Sequence, residues 1–237
     1  MTAFPTRPAS SALPVFAAVL RYQSALLLRS QRWLAPVILY AVFLAVGVQG
    51  GQPVLDSLAY AAAALLPVAA WLVRICVTNE PPAARDCTAA AVGPRRAHLA
   101  GLLTAFLASS VLGAAATAAV AVISDAASTD HQTAVPRGPA AAAGLLAMLV
   151  SALLGTAVGA VTSRPLLRSP GRAVPALLLA ALLALVTTGS PARAVLTDLT
   201  RGSRDGVVPA PVGAAAGALA LAAAAVAVAC GACARRD

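Results

Sequence analysis

Few residues in this 237-residue chain combine the types and spacing that chemistry requires. Cys230 and Cys233 have the Cys-x-x-Cys spacing of a redox or metal pair, but they close an apolar run with no second ligand pair or histidine beside them. They read as small lipid-compatible residues, and with Cys76 and Cys87 they set up no disulfide framework. The two histidines, His98 and His131, flank one long apolar run, so they are expected on opposite sides of a membrane and share neither a metal nor a proton relay. None of the 8 acids lies deep inside an apolar run, where an ion-coupled carrier would place one. No lysine occurs anywhere, so the chain has no Gly-x-x-x-x-Gly-Lys-Ser/Thr phosphate loop and is not itself a P-loop ATPase. No nucleophile and base are grouped together, and no catalytic residue, cofactor or metal is expected.

The most informative polar stretch is 78–98, longer than a connection between neighbouring helices requires. It runs through Asn79, Glu80, Pro81 and Pro82, then an alanine-rich stretch with Arg85, Asp86 and Cys87, then Gly93, Pro94, Arg95 and Arg96. Prolines at the start and a Gly-Pro stop predict one short helix between two longer ones. Such a helix can pass force from a docked protein to the elements on either side. A plain solvated loop would also carry Arg95 and Arg96, because loops on the inner side of a membrane retain arginine.

The elements around this stretch follow from composition. Sixty per cent of residues are hydrophobic, 11% are charged and the mean hydropathy is +0.85, too apolar for a water-soluble globule of this length. The expected fold is all-α, a polytopic membrane protein with about six transmembrane helices at about 34–48, 57–77, 99–123, 140–161, 174–188 and 212–233. No period-two alternation of a membrane β-barrel is present. Pro36 and Pro175 are expected in the first turns of their spans, and Pro67 inside its span predicts a kink. Residues 1–14 read as a disordered tail on the inner side. The stretch 15–33 puts Arg21, Arg29 and Arg32 on one side of a helix and Phe16, Val19, Leu20, Leu26, Leu27 and Trp33 on the other, with Gln23 and Ser30 interrupting the apolar face. Those arginines disqualify it as a secretory signal and suit a helix lying in the headgroup plane.

The excess of 17 arginines over 8 acids would suggest nucleic acid in a soluble protein; here it orients the chain instead. With the first residue inside, Arg7, Arg21, Arg29, Arg32, Arg74, Arg85, Arg95, Arg96, Arg164, Arg168, Arg172, Arg235 and Arg236 are cytoplasmic. Only Arg137, Arg193, Arg201 and Arg204 are then outside, and both termini are cytoplasmic. Arg74, near a span end, can snorkel to the surface. Outside, 190–199 carries Val195, Leu196 and Leu199 at a spacing that suits one or two helical turns resting on the outer interface. Gly155-x-x-x-Gly159 and Gly213-x-x-x-Gly217 permit close helix approach, within the chain or between two copies.

The order of these parts resembles the permease subunit of ABC-2 type transporters. The likeness covers nearly the whole chain: the amphipathic helix at 15–33, six spans, the segment from Glu80 to Thr88 between spans two and three, and an external helical segment before the last span. It implies a permease domain over 15–237 in the cell membrane, working as a homo- or heterodimer of permease units. It also implies that a separate ATP-binding-cassette ATPase drives transport, with export as the family's usual direction. Carried over, the segment between spans two and three is a coupling helix, placing Glu80, Arg85, Asp86, Arg95 and Arg96 at the ATPase contact. The residues alone leave two other readings open: a membrane scaffold or assembly factor with an arginine-rich cytoplasmic face, and an intramembrane enzyme, for which no nucleophile and base are visible.

Overall fold

A computed structural model describes residues 12–164 and 169–234, so Arg7, Arg168, Arg235, Arg236 and most of the 1–14 tail lie outside the described residues. Every regular element among them is helical: α1 Ala12–Ser30, α2 Leu34–Gly47, α3 Val54–Asn79, α4 Pro82–Val92, α5 Pro94–Ile123, α6 Arg137–Thr162, α7 Pro170–Val186, α8 Pro191–Asp205 and α9 Val212–Ala234. Four of these, α3, α5, α6 and α9, are long and apolar enough to cross a membrane, and the count rises to six if each of two bent pairs forms one span. The chain thus has the helices of a membrane-embedded protein.

The two shortest expected spans are the ones that bend. At 14 residues, α2 is about 21 Å long, less than the roughly 30 Å of a hydrocarbon core. It meets α1 at 71° across Gln31, which holds a left-handed φ of 54°. The α7 and α8 pair bends by 46°. Here α7 starts at Pro170, so Pro175 lies inside the helix, not in the first turn as the sequence suggested. Helix α3 runs unbroken through Pro67.

The central pair is α3 and α6, both mostly buried, with α5 and α9 packed around them. Glycine sets how closely the pair approaches. A Cβ on Gly155 would sit 2.5 Å from Ala69 Cβ and 2.6 Å from the Leu66 carbonyl oxygen, and one on Gly159 would sit 2.5 Å from Val73 Cβ. The Gly155-x-x-x-Gly159 motif is therefore spent on a contact within the chain. By contrast, a Cβ on Gly213 would meet nothing within 4 Å. Five hydroxyls inside the bundle are satisfied locally, Thr104, Ser109, Thr117, Thr156 and Thr162 each donating to the carbonyl four residues back, whereas buried Ser57 Oγ of α3 has no partner among the described residues. Tyr40, 1% exposed, brings α2 onto α3 by donating to the Ala61 carbonyl at 3.1 Å. Outward faces are apolar, with Ile38, Val42 and Val46 of α2 and Leu178, Leu182 and Val186 of α7 all exposed.

The two ends of the bundle differ. At the end away from α4, the connection between α5 and α6 is pinned by short backbone pairings, Val54 to Asp125, Asp125 to Gln52 and Thr129 to Ser203. Helix α8 closes that end. It is 15 residues long, and Val195 and Leu199 are 1% and 0% exposed, so its apolar stripe packs on α3 and α6 rather than resting on the outer interface as expected. At the other end, α1 lays Val19, Gln23 and Leu27 against the bundle and leaves Arg21 and Arg29 exposed, with Arg32 exposed in the turn that follows.

Candidate functional site

The α4 end is shaped by proline and glycine. Glu80 stops α3 in an extended conformation (φ −77°, ψ 128°), as the clash with a following proline demands. Pro82 then opens α4 at its first position, where a missing amide hydrogen costs least. Gly93, at φ 87°, ends α4 in a conformation only glycine adopts easily, and Pro94 opens α5. Three helices are thereby joined by two tight corners with fixed backbone directions.

The first corner turns Glu80 inward. Its side chain is 6% exposed, and its carboxylate accepts hydrogen bonds from Gln23 Nε2 of α1 at 3.0 Å and Thr88 Oγ1 of α4 at 2.7 Å. Arg85 donates from its guanidinium to the Glu80 main-chain carbonyl at 3.0 Å. Asn79 Nδ2 donates to the Leu26 carbonyl at 3.1 Å. The end of α3 thus holds α1 on one side and α4 on the other.

Beside this knot is a cavity of about 420 Å³. Its walls come from five helices, the residue following α3 and the second residue beyond α6: Gln23, Cys76, Val77, Glu80, Arg85, Asp86, Ala89, Pro94, Ala97, His98, Gly101, Arg164 and Cys233. Two guanidinium and two carboxylate side chains share it with the His98 imidazole, whose Nε2 is buried without a hydrogen-bond partner. Pockets that hold small ligands span roughly 300–1,000 Å³. No group of three or more His, Cys, Asp or Glu side chains able to hold a metal occurs among the described residues.

The five residues assigned to the 78–98 segment separate into two sets. Glu80, Arg85 and Asp86 share the cavity wall, with Glu80 buried, Arg85 half-buried and Asp86 exposed at its rim. Arg95 and Arg96 are exposed in the first turn of α5 and do not line the cavity. Burial takes the Glu80 side chain off the surface that a docked protein could touch. Helix α4 itself has no buried residue; it rests on Arg85, Thr88 and Ala89 and presents Ala83, Asp86, Cys87, Ala90 and Ala91 outward.

Sequence reasoning missed Gln23, His98 and Arg164. Only Gln23 left a signal, as a polar residue on the apolar face of its helix; the partner that makes sense of it is 57 positions away. His98 lies near the start of α5 and His131 in the connection beyond its other end. Compared with family models, with curated protein sequences and with solved structures, the chain matches none.

Proposed function

We propose that the chain is the membrane-spanning permease subunit of an ABC-2-like transporter, working as a pair of such units in the cell membrane and driven by a separate ATP-binding subunit, with export as its direction. In this reading the α4 end and both termini face the cytoplasm and α1 lies along the inner headgroups. The observation that carries it is α4: a short helix held by proline and glycine corners between two long apolar helices, with one face anchored through Glu80 and the other exposed. Displacing α4 pulls on the end of α3 and, through the Gln23 hydrogen bond, on α1. A partner that moves on hydrolysing ATP can therefore reach the bundle through this one helix.

Arg95 and Arg96 support the same reading. They stand in the first turn of α5, where the helix dipole disfavours cations, so helix stability does not account for them. Their inward-side placement follows the positive-inside rule, and their exposure makes them available to an acidic partner surface.

The test is co-purification in mild detergent followed by ATPase measurement in vesicles. A bulky charge on the exposed face, Ala90→Arg, and the double reversal Arg95→Glu with Arg96→Glu are expected to lower stimulated ATP hydrolysis at least tenfold while the chain stays folded and inserted. Recovery of no ATP-binding-cassette protein, together with mislocalisation as the only effect of the reversal, would replace this reading with a scaffold whose arginine face binds its partners.

A further inference from the structure

The charges on the cavity wall are balanced: Arg85 and Arg164 against Glu80 and Asp86. A nucleotide or other polyanion would meet two carboxylates there, and a simple cation would meet two guanidiniums. The balance suits a ligand that carries one charge of each sign.

The carboxylate half is poised for a cation. Glu80 is 6% exposed, and the donors around it, Gln23, Thr88 and the Tyr22 hydroxyl, are all neutral. Its neighbour Arg85 directs a guanidinium N–H to the main-chain carbonyl. An ammonium group there would add a charged, hydrogen-bonding partner that these neutral donors do not provide. Asp86, at the rim, adds a second acceptor.

The other half is poised for an anion. Arg85 has further guanidinium N–H groups beyond the one it uses, because the side chain carries five. Arg164 makes no hydrogen bond or ion pair among the described residues, and His98 Nε2 has no partner. Val77, Ala89, Ala97 and Gly101 add apolar surface to the same wall, which suits a short methylene linker. The depth of the site also matters: it lies at the last turn of α3 and the first turns of α5, at the level of lipid headgroups if these helices span a bilayer.

We infer that this cavity binds an aminoalkyl phosphate, its ammonium on Glu80 and Asp86 and its phosphate on Arg85, Arg164 and His98, presented either as the head group of an ethanolamine phospholipid or as the free molecule. The assignment concerns the isolated chain and does not depend on an ATPase partner.

The experiment uses the purified chain, without any ATPase, in nanodiscs and detergent, titrated with phosphatidylethanolamine, phosphatidylcholine, phosphatidylglycerol and free phosphoethanolamine, with native mass spectrometry and thermal shift as readouts. Phosphatidylethanolamine is expected to bind about tenfold more tightly than phosphatidylcholine, which lacks ammonium hydrogens, or phosphatidylglycerol, which lacks the amine. Glu80→Gln is expected to abolish the preference over phosphatidylglycerol. Arg164→Gln, an exposed position whose substitution spares the bundle, is expected to weaken all three lipids, the anionic one included. Competition by free phosphoethanolamine supports the chemistry with a soluble source; ethanolamine preference without such competition supports it with a lipid source. Equal binding of the three lipids with no response to free phosphoethanolamine overturns the inference, as does an unchanged head-group preference in a monodisperse Glu80→Gln protein. Arg164→Gln decides the matter should Glu80→Gln fail to fold: unaltered binding of every lipid by that variant also overturns it.

Discussion

Replacing Gly155 with alanine adds one methyl group at the closest point between α3 and α6. That Cβ would lie 2.5 Å from Ala69 Cβ and 2.6 Å from the Leu66 carbonyl oxygen. Ordinary contact begins near 3.4 Å, so the helices must separate by about 0.9 Å there, and the obstruction is partly backbone, which cannot swing aside. A gap of that size forfeits roughly a quarter to a half of the dispersion energy of the contacts it opens. Overpacking of this kind costs about 1–3 kcal/mol, offset by roughly 0.5–1 kcal/mol from replacing glycine inside a helix. The expected net loss is about 1–2 kcal/mol, or about 2–8 °C in the apparent Tm of a chain this size. Gly101→Ala is the control with the opposite sign. Nothing lies within 4 Å of its Cβ position inside α5, so only the gain in helix propensity remains and stability should rise. Melting of the detergent-purified proteins, followed by circular dichroism and monodispersity, reads both. A Gly155→Ala protein as stable as the unmodified chain, alongside a stabilised Gly101→Ala, would refute the close packing of α3 on α6.

Three further predictions follow from the same geometry. Tyr40→Phe keeps the ring but leaves the Ala61 carbonyl without this donor, and should lower stability by about 1 kcal/mol in the same melting assay. In the loop between α5 and α6, the Ser128 hydroxyl and the Gln132 amide hold the Asp130 carboxyl below its usual range. Because the folded-state value is the lower one, this turn's contribution is present above the ordinary aspartate pKa of about 3.9 and is lost as pH falls through the depressed one. The protection of the Gln132 amide against exchange, relative to its intrinsic rate at each pH, should therefore fall only on the acid side of that range, and Asp130→Asn should remove that pH dependence. For orientation, exposed Cys87 on α4 should react with a membrane-impermeant thiol reagent only after cells are opened, whereas His131→Cys in a Cys87→Ser background should react in intact cells; the reverse pattern would invert the proposed topology.

The long apolar helices were legible because their signal is local. A run of about 20 uncharged residues has no soluble alternative, and α3, α5, α6 and α9 each contain their expected span with a few residues more at one or both ends. The corners around α4 were legible for the same reason, since Pro81, Pro82, Gly93 and Pro94 restrict the backbone whatever surrounds them. The breaks between α1 and α2 and between α7 and α8 were harder to read. Gln31 enters the left-handed region without being glycine, and no composition rule requires it. The stripe on 190–199 was visible, yet what it would cover was not: Val195 and Leu199 are equally suited to lipid and to a helical core, and the fold chose the core.

The amino-acid sequence by itself determined the solvent of this protein, its helical class, and the short helix between α3 and α5, because hydropathy and proline geometry act over a few residues. Tertiary structure alone decided the site. Its wall gathers Gln23, Glu80, His98 and Arg164 from widely separated positions, and those residues acquire a joint meaning only when α1, α3, α5 and the end of α6 meet. Glu80 shows the difference most plainly. In the sequence it is one charge in a polar connection; in the fold it is a buried carboxylate held by neutral donors at the edge of a cavity. Burial depends on what packs overhead, and no local pattern of residues encodes that.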